Sequence, residues 1–264
     1  LYIFMRRVLN QGVEDSEQIE NETGLAVFAT IPHSDLQDKI AGNLRKKRKT
    51  GGNQTGIIAF RETDGLVVEA FRSLRTGLQF ANRNNTNNII TISGPAPSIG
   101  KSFISINLGA VISETGKRVL VIDADMRKGH LHKFVDIAQS PGLSEVINNP
   151  DLKEKSIHRI NENLFFLSTG KRPPNPSELL MSDGFGSLLE SLKESFDQII
   201  IDTPPILAVT DASIVASYSS QVFMLLRFGK HPMREIKAAL SRFEKDGVNI
   251  TGVIMNDVTI TNRG

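Results

Sequence analysis

Residues 89–112 read IITISGPAPSIGKSFISINLGAVI, and the order of residue types here decides the fold. Ile89 to Ile92 predict a buried strand, Gly94 to Ser102 a loop, and the apolar run from Phe103 onward a helix. Strand, glycine-bearing loop and helix form the context that a phosphate-binding loop requires. In that reading Gly94, Pro97, Ser98, Ile99, Gly100, Lys101, Ser102 and Phe103 cradle a nucleotide. Gly100 lets backbone N–H groups approach the phosphates, Lys101 reaches the β/γ oxygens, and the Ser102 hydroxyl ligates Mg²⁺. The helix N-terminus adds its positive end. The literal pattern GxxxxGK[ST] is missed by one position, because Pro95 stands where the first glycine is expected and Gly94 lies one residue earlier.

Outward from this loop the chain alternates strand and helix. LVVEAFRSLRTGLQFA from residue 66 carries apolar residues at helical spacing, while RVLVID, NLFFLS, QIIIDT, QVFMLL and ITGVIM read as strands. Near-continuous apolar strands separated by helices imply an α/β fold, a parallel sheet flanked by helices on both faces. Two strands end in aspartate. RVLVIDADMRKG places Asp123 and Asp125 at one strand end, and QIIIDTPP places Asp202 at another, at the edge where open α/β sheets bind ligands. One such aspartate alone reads as an ordinary strand-end residue; three beside a GKS point to a metal. Mg²⁺ takes few protein ligands and several waters, so Ser102, Asp123 and Asp202 suffice as its set.

The composition narrows the alternatives. The chain contains no cysteine, which removes a disulfide framework, a thiolate zinc site and a cysteine nucleophile together. A formal charge of +2, from 31 basic and 29 acidic residues, is too balanced for wholesale nucleic-acid binding. The opening LYIFMRRVL reads as the cytoplasmic end of a membrane span with Arg6 and Arg7 as its positive-inside flank, or as a surface helix. Five consecutive basic residues, Arg45 to Lys49, form a linker beside Gly51 and Gly52. They read as a solvated connector, as a docking site for phosphorylated segments, or as a lipid-facing patch worth about 1 kcal/mol per basic side chain near an anionic surface. The expected division is 1–56 as juxtamembrane segment and linker, and 57–264 as the nucleotide domain.

GPAPSIGKS, VLVIDADMR and IIIDTPP together resemble the Walker A, A′ and B motifs of the bacterial protein-tyrosine kinases (BY-kinases) of the Wzc/Etk type. These are deviant-Walker P-loop relatives of the MinD/ParA ATPases. Pro97 suits the kinase branch, and PPNPSELL (Pro173 to Leu180) with IDTPPILAVTDA (Ile201 to Ala212) extends the likeness. The resemblance implies an ATP- and Mg²⁺-dependent tyrosine autokinase on the cytoplasmic side of a bacterial inner membrane, regulating exopolysaccharide or capsule polymerisation and export. It implies a homo-oligomeric, octamer-like ring that phosphorylates C-terminal tyrosines in trans, and a cognate low-molecular-weight tyrosine phosphatase as partner. The family's ExxRxxR assembly motif falls on Glu69, Arg72 and Arg75; local pairing on a solvated helix is the alternative for this spacing.

Transfer to a phenol with a pKa near 10 needs a carboxylate beside the phosphate. Asp123 is the first choice for that base and Asp125 the second, with Lys101 stabilising the transferring charge. Arg127 is expected to contact phosphate or a neighbouring acid. Asn256, after the GVIM strand, is similar to the adenine-contacting asparagine of the wider family, and otherwise reads as a turn residue. Two departures stand out. His130 occupies the position of the tyrosine in the family's RKGY run, and the chain ends at Gly264 without a tyrosine-rich tail. Only Tyr2 and Tyr218 remain, and Tyr218 reads as a packing residue. A MinD/ParA-like ATPase switch, lacking its expected loop lysine, and a nucleotide-binding scaffold are the competing readings.

Overall fold

The computed structural model describes residues 12–36, 39, 56–61, 64–81 and 87–259. Tyr2, Arg6, Arg7 and the basic run Arg45–Lys49 lie outside these residues. The elements in chain order are α1 (Ser16–Thr23), β1 (Val27–Pro32), α2 (Leu66–Ala81), β2 (Ile89–Ser93), α3 (Lys101–Ser113), β3 (Val119–Asp123), α4 (Leu143–Asn148) and α5 (Lys153–Ser156). They continue with β4 (Ile157–Arg159), β5 (Leu164–Leu167), α6 (Pro176–Leu180), α7 (Asp183–Ser195), β6 (Gln198–Asp202), α8 (Asp211–Ala216), β7 (Gln221–Arg227), α9 (Met233–Lys245) and β8 (Gly252–Val258).

The strands form one sheet in the order β1-β8-β7-β2-β6-β3-β5-β4. Every neighbouring pair is parallel except β4 and β5. Alternate side chains of each strand enter different cores: Ile90 and Ile92 pack with α2 and α3, while Ile89, Ile199 and Ile201 pack with α7. Both faces of the sheet are therefore dry, which is why its strands read as unbroken apolar runs. Helix α3 is buried along nearly its whole length, apart from Ser102. An all-round apolar helix of this kind belongs between layers rather than at the surface.

Two features depart from the sequence expectation. Val27–Pro32, placed with the juxtamembrane segment by sequence, is the edge strand of this same sheet and pairs with β8 from Val27↔Val253 to Pro32↔Val258. The boundary at residue 56 thus does not separate the sheet from what precedes it. The short strand β4 was not anticipated; it closes the opposite edge antiparallel to β5. An antiparallel edge needs only a tight connection, and residues 160–163 provide it. Among the described residues no helix is long and apolar enough to cross a membrane.

Candidate nucleotide site

Strand β2 lies between β7 and β6, with β3 next beyond, so the loop after β2 meets the ends of β6 and β3 at the carboxyl edge. Asp123 and Asp202 are paired neighbours across β3 and β6. The loop itself is shaped by close approach. Gly94 has no room for a side chain, since a Cβ would lie 2.6 Å from the Leu225 carbonyl oxygen. Gly100 sits at φ 103° and a Cβ there would run into Nδ2 of Asn256, so both conformation and space require glycine. Ser98 adopts φ 59° within the same turn.

A cavity of about 660 Å³ opens over this loop, within the range of small-molecule sites. Pro97, Ser98, Gly100, Lys101, Ser102 and Phe103 form one side, and Asp125, Arg127 and His130 face them from the loop after β3. Asp202 and the Thr203–Pro205 turn complete it. Ser102 Oγ donates to Asp202 Oδ2 at 2.6 Å, while Asp202 Oδ1, on the side of Ser105, is buried without a hydrogen bond among the described residues. Burial drives the Asp202 carboxyl up to about 7, against the pull of Lys101 and the Ser102 hydrogen bond. Lys101 Nζ donates to the Ala96 carbonyl at 3.2 Å, and desolvation lowers its pKa despite the nearby carboxylates of Asp202 and Asp125. A buried cation, a hydroxyl and a carboxylate with a free oxygen form a donor set that fits a nucleotide phosphate and a divalent cation.

Four residues assigned to the site from sequence, Asp123, Asn256, Gly94 and Ile99, do not line the cavity. Asp123 is 1 % exposed and does not line the cavity; its Oδ2 accepts from Leu131 N at 3.0 Å and its Oδ1 from Asp125 N at 3.2 Å. Burial, with the charge of Asp202, raises its pKa well above the usual carboxylate range. It is the anchor of the loop after β3, and Asp125 is the carboxylate that reaches the cavity. Asn256 is buried behind the loop, donating from Nδ2 to the Ile99 carbonyl at 2.9 Å. Gly94 and Ile99 likewise shape the loop from behind, with Ile99 in the core.

Comparison with known proteins agrees with this geometry. The AAA domain family matches residues 87–225. Tyrosine-protein kinase ptk of Acinetobacter johnsonii is 44% identical over 265 residues, covering 100% of this chain and 36% of that protein. Tyrosine-protein kinase etk of Escherichia coli K12 is 41% identical over 263 residues, covering 97% and 36%. The chain spans about a third of the length of these relatives. Among solved structures, the kinase domain of Escherichia coli tyrosine kinase ETK superposes with a TM-score of 0.87 at 39% identity, covering 96% of this chain and 97% of that one. The BceF tyrosine kinase domain gives 0.84 at 41% identity, covering 94% and 100%. The chain belongs to the bacterial tyrosine-kinase domains. MinD of Aquifex aeolicus, at 19% identity and a TM-score of 0.52, shares the fold.

In this kinase domain Arg127 meets an acid. Its Nε and Nη2 donate to Asp211 at 2.8 and 3.1 Å, and Ser177 Oγ donates to the same carboxylate at 2.5 Å. Burial of Asp211 is outweighed by these two partners, which hold its carboxyl below the ordinary range. Ser177 and Asp211 lie inside the two family-like phrases, the signal that could have found them. Asn107, a buried amide in the largely apolar α3, was also missed. Its Oδ1 accepts from Ile58 N and Ala59 N, tying that segment to the helix behind the loop. On α2, Arg72 pairs with Glu69 and lies 3.7 Å from Glu114, and Arg75 Nη1 donates to the Val111 carbonyl at 3.0 Å. Tyr218 packs edge-on against Phe185 at 5.3 Å. His130 lines the cavity near Phe134.

Proposed function

We propose that this chain is the catalytic domain of an ATP- and Mg²⁺-dependent protein-tyrosine autokinase. The observation that carries the reading is the convergence of Lys101, Ser102, Asp125 and Asp202 on one cavity of about 660 Å³ at the carboxyl edge of the sheet. Lys101 moves from the Ala96 carbonyl to the β/γ-phosphate oxygens, where it offsets the charge that develops during transfer. Ser102 and Asp202 Oδ1 would hold Mg²⁺, whose charge would neutralise the phosphate oxygens. Asp125, rather than Asp123, takes the phenolic proton, because both oxygens of Asp123 are already engaged by backbone amides. Arg127, held by Asp211, keeps the loop carrying Asp125 in place.

In the parent protein this domain stands at the cytoplasmic face of the inner membrane and modifies C-terminal tyrosines of neighbouring copies in a ring assembled through Glu69, Arg72 and Arg75. Its phosphorylation state, reversed by a low-molecular-weight tyrosine phosphatase, controls exopolysaccharide or capsule polymerisation and export. The names of the relatives and the exposed ExxRxxR helix support this reading. Incubation with γ-labelled ATP, Mg²⁺ and a tyrosine-rich acceptor peptide should yield labelled phosphotyrosine that Lys101→Met abolishes. Phosphate release without labelled tyrosine would replace the kinase reading by an ATPase switch.

A further inference from the structure

A second cavity, of about 210 Å³, lies at the amino-terminal edge of the sheet, opposite the nucleotide site. Gln198 opens β6, Gln221 opens β7, Lys117 precedes β3, and Arg75 and Gln79 approach from α2. Leu78 and Ile112 supply an apolar wall. The five residues of β2 separate the two edges by roughly 15 Å.

Two independent observations point to an occupant. Gln221 is 3 % exposed, yet among the described residues neither its Oε1 nor its Nε2, both buried, has a hydrogen-bond partner. A primary amide left so carries the desolvation cost of a donor and an acceptor together. The cationic groups at the rim are also uncompensated. Arg75 donates to the Val111 carbonyl, neither it nor Lys117 forms an ion pair among the described residues, and no acid is among the described lining residues. Amides that both donate and accept match hydroxyl groups, and paired cations match an oxyanion.

We propose that this cavity binds a small polyhydroxylated anion, a sugar phosphate or a sugar acid, with its oxyanion between Arg75 and Lys117 and its hydroxyls on Gln221. The test is a ¹H–¹⁵N titration of the whole chain with glucose 6-phosphate, glucuronate, glucose and inorganic phosphate. Saturable shifts of the Gln221 side-chain amide are expected with one or both sugar anions, and which of them binds identifies the oxyanion. Glucose or phosphate alone should bind about tenfold or more weakly, since each satisfies half of the site. Lys117 is exposed, so Lys117→Ala keeps the fold, and it should weaken the sugar anion about tenfold. In Gln221→Leu, followed through the backbone amides of Gln79 and Lys117, saturable binding of the sugar anion should be lost, and ADP should not compete. Arg75 is left intact because it belongs to the proposed assembly motif. A Gln221 amide that does not respond to either anion up to about 10 mM, or an affinity unchanged in Lys117→Ala, would show the cavity to hold only water.

Discussion

Asp123 and Asp202 stand side by side in register at the ends of β3 and β6, yet their carboxylates are in opposite states of satisfaction. Asp123 is closed by two backbone amides, whereas Asp202 Oδ1 has no hydrogen bond among the described residues. The pair separates an architectural acid from one available to a cation.

This separation has a pH signature. Burial raises Asp202 to about 7, so the native state binds a proton that the unfolded chain releases at lower pH. Its contribution to stability is complete below the usual carboxylate range and is lost as pH rises through about 7. Asp202→Asn should therefore be more stable than the wild type at pH 8, by about 1–4 kcal/mol in urea unfolding, with the advantage vanishing near pH 4. Binding of Mg²⁺–nucleotide to the wild type at pH 6 should release a proton, seen as a buffer-dependent heat in calorimetry. A wild type and variant with parallel pH profiles would refute the assignment.

Lys101 presents the converse case. Desolvation depresses its pKa, so a neutral side chain of similar shape fits the empty site better than the cation does. Lys101→Met should lose phosphoryl transfer by about 10²-fold or more while unfolding at equal or higher urea concentration. Loss of activity accompanied by a large loss of stability would mean that the lysine is chiefly structural.

The Arg127–Asp211 pair should dominate the order of the cavity's far wall. The Asp211 side chain is 0% exposed and that of Arg127 31%. Removing Arg127 strands a buried carboxylate, and Arg127→Ala should cost about 2–4 kcal/mol near neutral pH. Because Asp211 is held below the ordinary range, its contribution is present above that range and lost as pH falls through the lowered value. The penalty should therefore shrink towards pH 3. Ser177→Ala should show the same trend at smaller size, and a penalty flat in pH would remove Asp211 as its cause.

The loop behind the phosphates offers a coupled test. Gly100→Ala combines an unfavourable φ with a collision against Asn256, and Asn256→Ala loses the bond to Ile99 at about 1–2 kcal/mol. In the double variant the collision is gone, so the two costs should be less than additive in urea unfolding. Strict additivity would show that Asn256 does not set the loop's shape.

What the sequence displayed and what it hid follow from the range of the forces involved. The parallel strands and α2 were legible because burial on two faces leaves an apolar run, and burial on one face leaves a helical period. Lys101 and Ser102 were legible because the loop that presents them is local. Asp123 and Asp125 are two residues apart on one strand end, and only the return of the chain to place Leu131 N on Asp123 decides which one faces the cavity. Asp211 and Ser177 meet Arg127 from 84 and 50 residues away, a pairing no local pattern encodes. The apolar run at Val27–Pro32 was visible, but its place beside β8 depends on a register spanning most of the chain.

The last prediction concerns α2. Glu69 and Arg72 form an ion pair on its exposed side, and Arg72 also approaches Glu114 of the turn after α3. If local pairing were their whole role, exchanging the charges, Glu69→Arg with Arg72→Glu, would restore what either single change removes. If the face instead meets a neighbouring copy, the exchange keeps the local pair but presents the wrong sign to the partner, and assembly should fail as fully as in Arg72→Ala. Arg72 is the informative residue, because Arg75 also holds the Val111 carbonyl and its loss would disturb the contact between α2 and α3. Light scattering on the parent protein distinguishes the two. A closed ring needs a heterologous interface in which this face of one subunit meets a different face of the next. Compensating charge changes should therefore reside on a separate surface, and the exchanged variant should assemble only with a partner altered there. Full assembly of the exchanged variant by itself would reduce Glu69 and Arg72 to a helix-surface pair.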